Sequence, residues 1–250
     1  MKIKELFKDT LLLFKVFLRS IRFWGPFTYT LSIVFPCLLL FFLIMNLGPL
    51  AQERLPYLIS GSLLAGVISI SVTSLGQYLV QLRLSGGFEI FRTLPIQGFS
   101  LVVGIVLYYL ALQLPVFIIF FIIMPFLGIV NFLNVYFFLS IIISIFSLIP
   151  IGAFIGLYSK RYEQGTVLSV ALSFLMYMCA PVYFPLEQMP QPLQLMAKFI
   201  PTTYLANNLR TSMLGQVEVS QYLLNFLIIL PLVILLYVLM GKRLKLVTDE

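Results

Sequence analysis

The chain has 250 residues, of which 61% are hydrophobic and 10% charged, against roughly 45–50% and about 25% in an ordinary globular protein. So few charges cannot cover a soluble fold of this length, whereas six spans of about 22 residues would absorb the apolar excess, so the composition is that of an integral membrane protein. The net charge of +7 comes with no histidine, with two cysteines (Cys37 and Cys179) in apolar stretches and with no glycine-rich P-loop, which argues against histidine-ligated metals, a disulfide framework and ATP binding by this chain.

Residues 1–25 come first. Lys4, Lys8, Lys15, Arg19 and Arg22 fall within about 60° of one another at 100° per residue, and Leu6, Phe7, Leu13, Phe14 and Phe17 oppose them. Such a helix lies in the membrane interface or covers the protein's own spans. Lys15 interrupts the apolar run and no small-residue cleavage site follows, which disfavours a signal peptide.

Six apolar segments follow, approximately Phe27–Asn46, Tyr57–Val80, Phe99–Leu127, Phe132–Tyr158, Val167–Phe184 and Tyr222–Met240. Between Phe132 and Ile151 alone there are fourteen Leu, Ile, Phe or Val residues, favouring insertion by about 4–8 kcal/mol before polar costs. Pro36, Pro115, Pro150 and Pro231 are tolerated inside membrane helices and are expected to kink them. Thirteen basic residues, in the N-terminal segment, the loops after spans two and four, and the tail, lie on one side, and Arg54, Lys198 and Arg210 on the other. That bias puts both termini in the cytoplasm, with the +7 charge reporting topology rather than nucleic-acid binding.

None of the six segments contains Asp, Glu, Lys or Arg. Ion-coupled transporters and membrane enzymes place such groups in the bilayer, so energy for uphill movement is expected to enter through a partner. Gln77, Gln113 and Asn134 are expected to make interhelical hydrogen bonds. Two connecting segments stand out. In residues 81–96, Gly86-Gly87 should end a helix, and Phe88, Glu89, Phe91 and Arg92 suit either a docking element or a solvated turn. After the fifth span, Pro181, Pro185, Pro190 and Pro201 forbid one continuous helix in a stretch too apolar for a free loop, which suits short helices dipping into the outer leaflet.

Together these segments resemble the permeases of the ATP-binding-cassette type 2 exporter family, over essentially the whole chain. Gly86-Gly87-Phe88-Glu89 matches the family's cytoplasmic pattern, with Thr93-Leu94-Pro95 carrying an inserted leucine and Gln81-Leu82-Arg83 replacing upstream acids. The outer pattern matches Tyr183-Phe184-Pro185-Leu186-Glu187, Pro190, Pro201-Thr202-Thr203-Tyr204 and Arg210, with Ile200 in place of the usual asparagine. The resemblance implies an all-α half-transporter in a prokaryotic cell membrane. It would have six transmembrane helices, an interfacial connecting helix (1–25), a cytoplasmic coupling segment (81–96) and a re-entrant outer segment (185–214).

It also implies a second permease, identical or related, and two ATPase subunits that carry ATP and Mg, this chain holding no cofactor and doing no covalent chemistry. Gly86, Gly87, Phe88, Glu89, Phe91 and Arg92, with Lys160 and Arg161, would face the ATPase. The Phe-Pro-Leu-Glu form of the outer motif is closer to drug- and lipid-type members, implying an amphiphilic or hydrophobic cargo, with surface polysaccharide or a lipid-linked glycan as the alternative. A secondary transporter or channel working without an ATPase is the competing class. The basic asymmetry gives the first prediction: reporters fused at Glu250 and in the Lys160–Glu163 loop read cytoplasmic and one near Glu187 reads external, and a cytoplasmic Glu187 in a functional protein defeats the six-span arrangement.

Overall fold

The computed structural model describes residues 3–47, 51–87 and 98–249, with side chains described at 8–19, 34, 36–46, 54–87, 100 and 103–243. Described residues form helices and turns, with no strand among them. Helix α1 (Ile3–Leu47) is followed by α2 (Ala51–Ile68), a π-helical stretch (Ser69–Ser74) and α3 (Leu75–Leu84), which together make one long rod. Next come α4 (Gly98–Phe126), α5 (Val135–Tyr158) and α6 (Tyr162–Met178). A 3-10 turn (Leu186–Gln188), α7 (Gln191–Ala197), α8 (Pro201–Met213) and α9 (Val219–Asp249) complete the chain.

Four helical segments among the described residues are long and apolar enough to cross a membrane: Arg54–Leu84, Val103–Phe126, Val135–Tyr158 and Val219–Arg243. The apolar stretch Pro36–Asn46 of α1 is shorter, and α6 has 17 residues. Several ends differ from the sequence reading. The segment expected from Phe132 starts its helix at Val135, because Asn134 caps it, its Oδ1 accepting from the Phe137 N–H at 2.9 Å. The segment expected to run to Phe184 stops at Met178, and Pro181 lies in the bent chain beyond. Residues 3–25 and the first span fall on one uninterrupted helix rather than two. Its 45 residues measure about 67 Å, some twice the hydrocarbon thickness of a bilayer.

The apolar side of α1 near its start packs on the chain's own helices. Leu13 and Phe17 are buried, Leu13 against Gly104 of α4 and Phe17 edge-on to Tyr78 of α3 at 6.4 Å. Lys8, Lys15 and Arg19 are exposed, and the side chains of Lys4 and Arg22 lie outside the described residues.

The rod α2–α3 is the centre of the bundle, packed against α1, α4, α5, α6 and α8. Glycine sets its distance from α5. A Cβ on Gly152 would collide with the Ser71 carbonyl oxygen, and one on Gly156 would lie 2.5 Å from Leu79 Cβ and 3.0 Å from the Gly76 oxygen. On α6, Ser169 Oγ sits 2.5 Å from where a Cβ of Gly76 would be, and Gly165 meets Val80. Lipid tails are as apolar as leucine, so helices in a bilayer are held by such close contact rather than by exclusion of water. Gly152 and Gly156 are the two ends of a Gly-x-x-x-Gly motif, a sequence signal for this packing. Replacing Gly152 with alanine is therefore expected to destabilise the bundle by about 1–3 kcal/mol. Gly241→Ala, where nothing lies within 4 Å, should not lower stability, and thermal unfolding of the two variants in one detergent checks the difference.

Candidate functional site

The helices alternate in direction, so residues far apart in sequence meet at two ends of the bundle. At one end α3 stops at Leu84, where Ser85 N–H donates to the Gln81 carbonyl at 2.9 Å and Gly86 takes φ 73°. That left-handed conformation favours glycine. Arg83 donates to the Leu157 carbonyl at the end of α5. The α5–α6 turn follows immediately, with Lys160 and Arg161 exposed and the Lys160 N–H bonded to Gln164 Oε1 at 3.1 Å. Arg243 of α9 lies over the Tyr158 ring, 5.8 Å from its centroid. Gly86, Gly87, Lys160 and Arg161 thus occupy one end of the bundle, while Phe88, Glu89, Phe91 and Arg92 lie outside the described residues.

The other end is closed by the segment from Cys179 to Met213. Pro181, Val182 and Tyr183 are buried, and the Tyr183 ring lies where any side chain on Gly61 of α2 would go. Arg210 of α8 is 8% exposed. Its Nη2 donates to the carbonyls of Pro181 at 3.1 Å and Val182 at 3.3 Å. Its guanidinium carbon stands 3.5 Å from the centroid of the Tyr57 ring. Burial lowers its pKa to about 10, while Tyr57 and Glu187 favour the charged form, so the group is a cation at neutral pH. Pro185 precedes the 3-10 turn that holds exposed Glu187, Pro190 caps α7, and buried Pro201 is the first residue of α8. Tyr204 donates to the Lys198 carbonyl at 2.7 Å. The structure thus brings Pro181, Tyr183 and Arg210 together around α2, and places Glu187 and Pro190 on the surface.

Helix α8 is rich in polar residues yet largely buried, and several of its polar side chains are hydrogen-bonded. Thr202 donates to the Met176 carbonyl at 3.1 Å, Asn208 to that of Tyr222 at 3.2 Å, and Asn225 of α9 to Asn208 Oδ1 at 2.7 Å. Ser140 of α5 lies 3.3 Å from Ser212 and donates to the Tyr222 hydroxyl at 3.1 Å. Asn134 also donates to the Ser212 carbonyl.

Between the two ends lies a feature that sequence reasoning missed. From Leu58 to Val80 every residue is buried except Ser69, Thr73, Ser74, Gln77 and Tyr78. All five are polar, and at 100° per residue they cover one half of the rod. Polar bonds flank them: Thr73 to Ser173 of α6 at 2.7 Å, Tyr177 to the Ala65 carbonyl at 3.3 Å, Gln113 of α4 to Ser71 at 3.3 Å, and Tyr109 to the Ser74 carbonyl at 3.3 Å. Gln113 and Asn134 make the interhelical bonds expected of them, and Tyr109, Tyr177 and Tyr183 serve packing. Polar groups at this depth face a bundle interior or a water-filled cavity rather than lipid. The π-helical stretch coincides with the stripe; such stretches recur at functional sites. Among the described residues no group of His, Cys, Asp or Glu is arranged to hold a metal.

A family model described as "ABC-2 family transporter protein" matches residues 49–242, from the start of the rod to the end of α9's apolar run. Among curated proteins no relative matches the chain.

The clamp yields a prediction about the closed end. Replacing Arg210 with methionine removes charge-assisted bonds worth about 1.5–3 kcal/mol and a ring contact worth about 0.5–2 kcal/mol. Thermal unfolding should drop accordingly, and limited proteolysis should become faster between Cys179 and Lys198. Tyr57→Phe, which keeps the ring, should behave nearly as wild type, and Tyr57→Leu should not.

Proposed function

Since the chain belongs to the ABC-2 transporter family and is thereby a membrane permease subunit, we propose that it forms the translocation pathway of an ATP-driven exporter by pairing with a second permease, identical or related. The polar stripe on the α2–α3 rod carries this reading. A central helix that between Leu58 and Val80 is left open only at Ser69, Thr73, Ser74, Gln77 and Tyr78 is poorly suited to face lipid, and pairing two such surfaces encloses a polar, uncharged route. Six spans complete the arrangement, α6 and the second half of α1 joining the four long apolar segments. Both termini are cytoplasmic, in the cell membrane of a prokaryote. The largely buried α8, with the bent chain that precedes it, is the re-entrant element, which protein rather than lipid surrounds.

Energy comes from two separate ATPase subunits, which bind ATP and Mg. They dock at the end that gathers Gly86, Gly87, Lys160 and Arg161, through Phe88, Glu89, Phe91 and Arg92. The cargo is amphiphilic or hydrophobic, because hydroxyls, one amide and one aromatic ring line the stripe and no charge is present to bind a charged cargo.

The test is ATPase turnover in liposomes with matched permease levels. Truncating a buried aromatic anchor costs about 2 kcal/mol or more, roughly thirtyfold in affinity. Phe88→Ala and Glu89→Lys are expected to lower ATPase copurification or permease-stimulated turnover by that order while insertion and permease pairing persist. Arg83→Ala should have less effect on coupling, Arg83 being turned to the α5 backbone. Wild-type coupling in both loop variants overturns the docking assignment, and transport by the purified chain without any ATPase favours a channel or secondary transporter.

A further inference from the structure

A cavity of about 600 Å³ opens on the flank of the bundle between α5, α6, α9 and the α7–α8 connection. Phe154 of α5, Leu168 and Leu172 of α6, Cys179 just past its end, Phe199 before α8 and Leu236 of α9 line it. From Leu168 to Cys179 the groove follows α6 for about 16 Å at 1.5 Å per residue. That is about half of the roughly 30 Å hydrocarbon thickness, so the groove is one leaflet deep. It ends beside the junction of α7 and α8, where Met196 and Phe199 line it and Lys198, between them in sequence, is exposed. Of the two cations between residues 179 and 218, Arg210 is turned inward to the Pro181 and Val182 carbonyls and Lys198 faces outward.

An unfilled groove of this size forfeits the dispersion contacts of its walls, and at this depth the available matter is hydrocarbon. Water is a poor occupant, since such a cavity offers too few polar partners to hold it. Apolar walls alone do not retain one lipid over its neighbours, because tails gain nothing by leaving other tails. Retention therefore has to come from the headgroup, and the group available at the rim is a cation. We propose that this groove seats one acyl chain of an anionic phospholipid from the leaflet on the α7 side, with its phosphate-bearing headgroup at Lys198. The lipid is a resident of the flank, apart from the polar stripe on the rod. The proposal requires only that the helices lie in a bilayer, whichever face is outside.

The purified chain, reconstituted in vesicles containing phosphatidylglycerol or phosphatidylcholine with a diazirine in one acyl chain, is irradiated and the labelled residues are mapped by mass spectrometry. Labelling is expected to concentrate at residues 168–179, 232–236 and Phe199, exceeding that on the exposed α4 residues Leu114, Ile118 and Ile122, which report bulk lipid. Phosphatidylglycerol should label the groove about fivefold more than phosphatidylcholine, the preference expected of one lysine near the membrane surface. Lys198→Glu should abolish that preference. Ala171→Trp, at an exposed groove-lining position, should fill the groove and lower labelling there while leaving the α4 positions unchanged. Groove labelling no higher than on α4 overturns the proposal, as does a headgroup preference that survives Lys198→Glu. A Cys179–Cys179 crosslink between chains, with the groove unlabelled, overturns it in favour of a second copy as occupant.

Discussion

Close approach of backbones is the constraint on which the rest of the molecule depends. In water, leucine faces would draw these helices together; in a bilayer the same faces are equally content against lipid. What remains is shape, and the shape here is cut by glycine. Gly152 and Gly156, one turn apart on α5, admit the Ser71 and Gly76 carbonyls of the rod, and Gly76 and Gly165 admit their neighbours across the α6 contact. A methyl group at Gly152 would push α5 off the rod. The hydroxyls of Ser169 and Ser173 then fall within reach of Gly76 and Thr73. The half-buried stripe borders that contact: its Thr73 bonds Ser173 of α6, and its Tyr78 meets Phe17 of α1.

Polar chemistry is distributed around that packing in two distinct ways. At the closed end, α8 has a higher proportion of polar residues than any spanning helix, and Asn208, Asn225, Ser140 and Tyr222 bind one another or backbone, which fixes α8 to α5 and α9. Bonded networks of this kind rigidify, because in a low dielectric each member is costly to release. Arg210 belongs to that rigid set: its charge is spent on two carbonyls and a ring. Along the stripe the polar groups differ, being partly exposed and limited to hydroxyls, one amide and a phenol.

Much of this was legible in the sequence, for reasons that can be given element by element. The apolar run from Phe99 to Leu127 matches α4 to within a residue at each end, because length and hydropathy alone decide a membrane helix. Gly86 ends α3 as its backbone freedom suggests, and the proline cluster after Met178 ends α6. The Asn134 cap was visible as an asparagine before an apolar run, but the run was long enough to hide its start. Continuity of α1 through Gly25 and Pro26 was not legible, because those residues normally punctuate helices. The spacing of Ser69, Thr73 and Gln77 was readable as one helical face, yet which face stays open depends on where α5 and α6 dock, which one helix's sequence does not contain. Arg210 and Pro181 were picked out by motif, but their pairing, and Tyr57 and Val182 as further partners of Arg210, by nothing local. Phe88, Glu89, Phe91 and Arg92 lie outside the described residues, so their role still rests on residue chemistry and family pattern.

The rod itself supplies the last step, since it is the element that touches both ends. Ala51 to Leu84 is helical throughout, about 50 Å at 1.5 Å per residue. At one end it runs into the Gly86 turn beside Arg83's bond to α5. At the other, Tyr57 and Gly61 bear on Arg210 and Tyr183. The stripe between them contains no ionisable group apart from the phenol of Tyr78, so neither proton binding nor membrane potential has a strong handle there. Under the proposed function, a force that reshapes the stripe would arrive mechanically, and helix is the stiff medium available. A displacement at the Gly86 end would reach the Arg210 clamp through the rod, with the π-helical stretch Ser69–Ser74 as the one departure from α-helical bonding along the way. Because packed interfaces are bistable rather than continuously deformable, such a push would be met by the glycine contacts with α5 either holding or slipping as a unit. The contact between Gly152 and the Ser71 carbonyl, inside the π-helical stretch, is where that choice would be made.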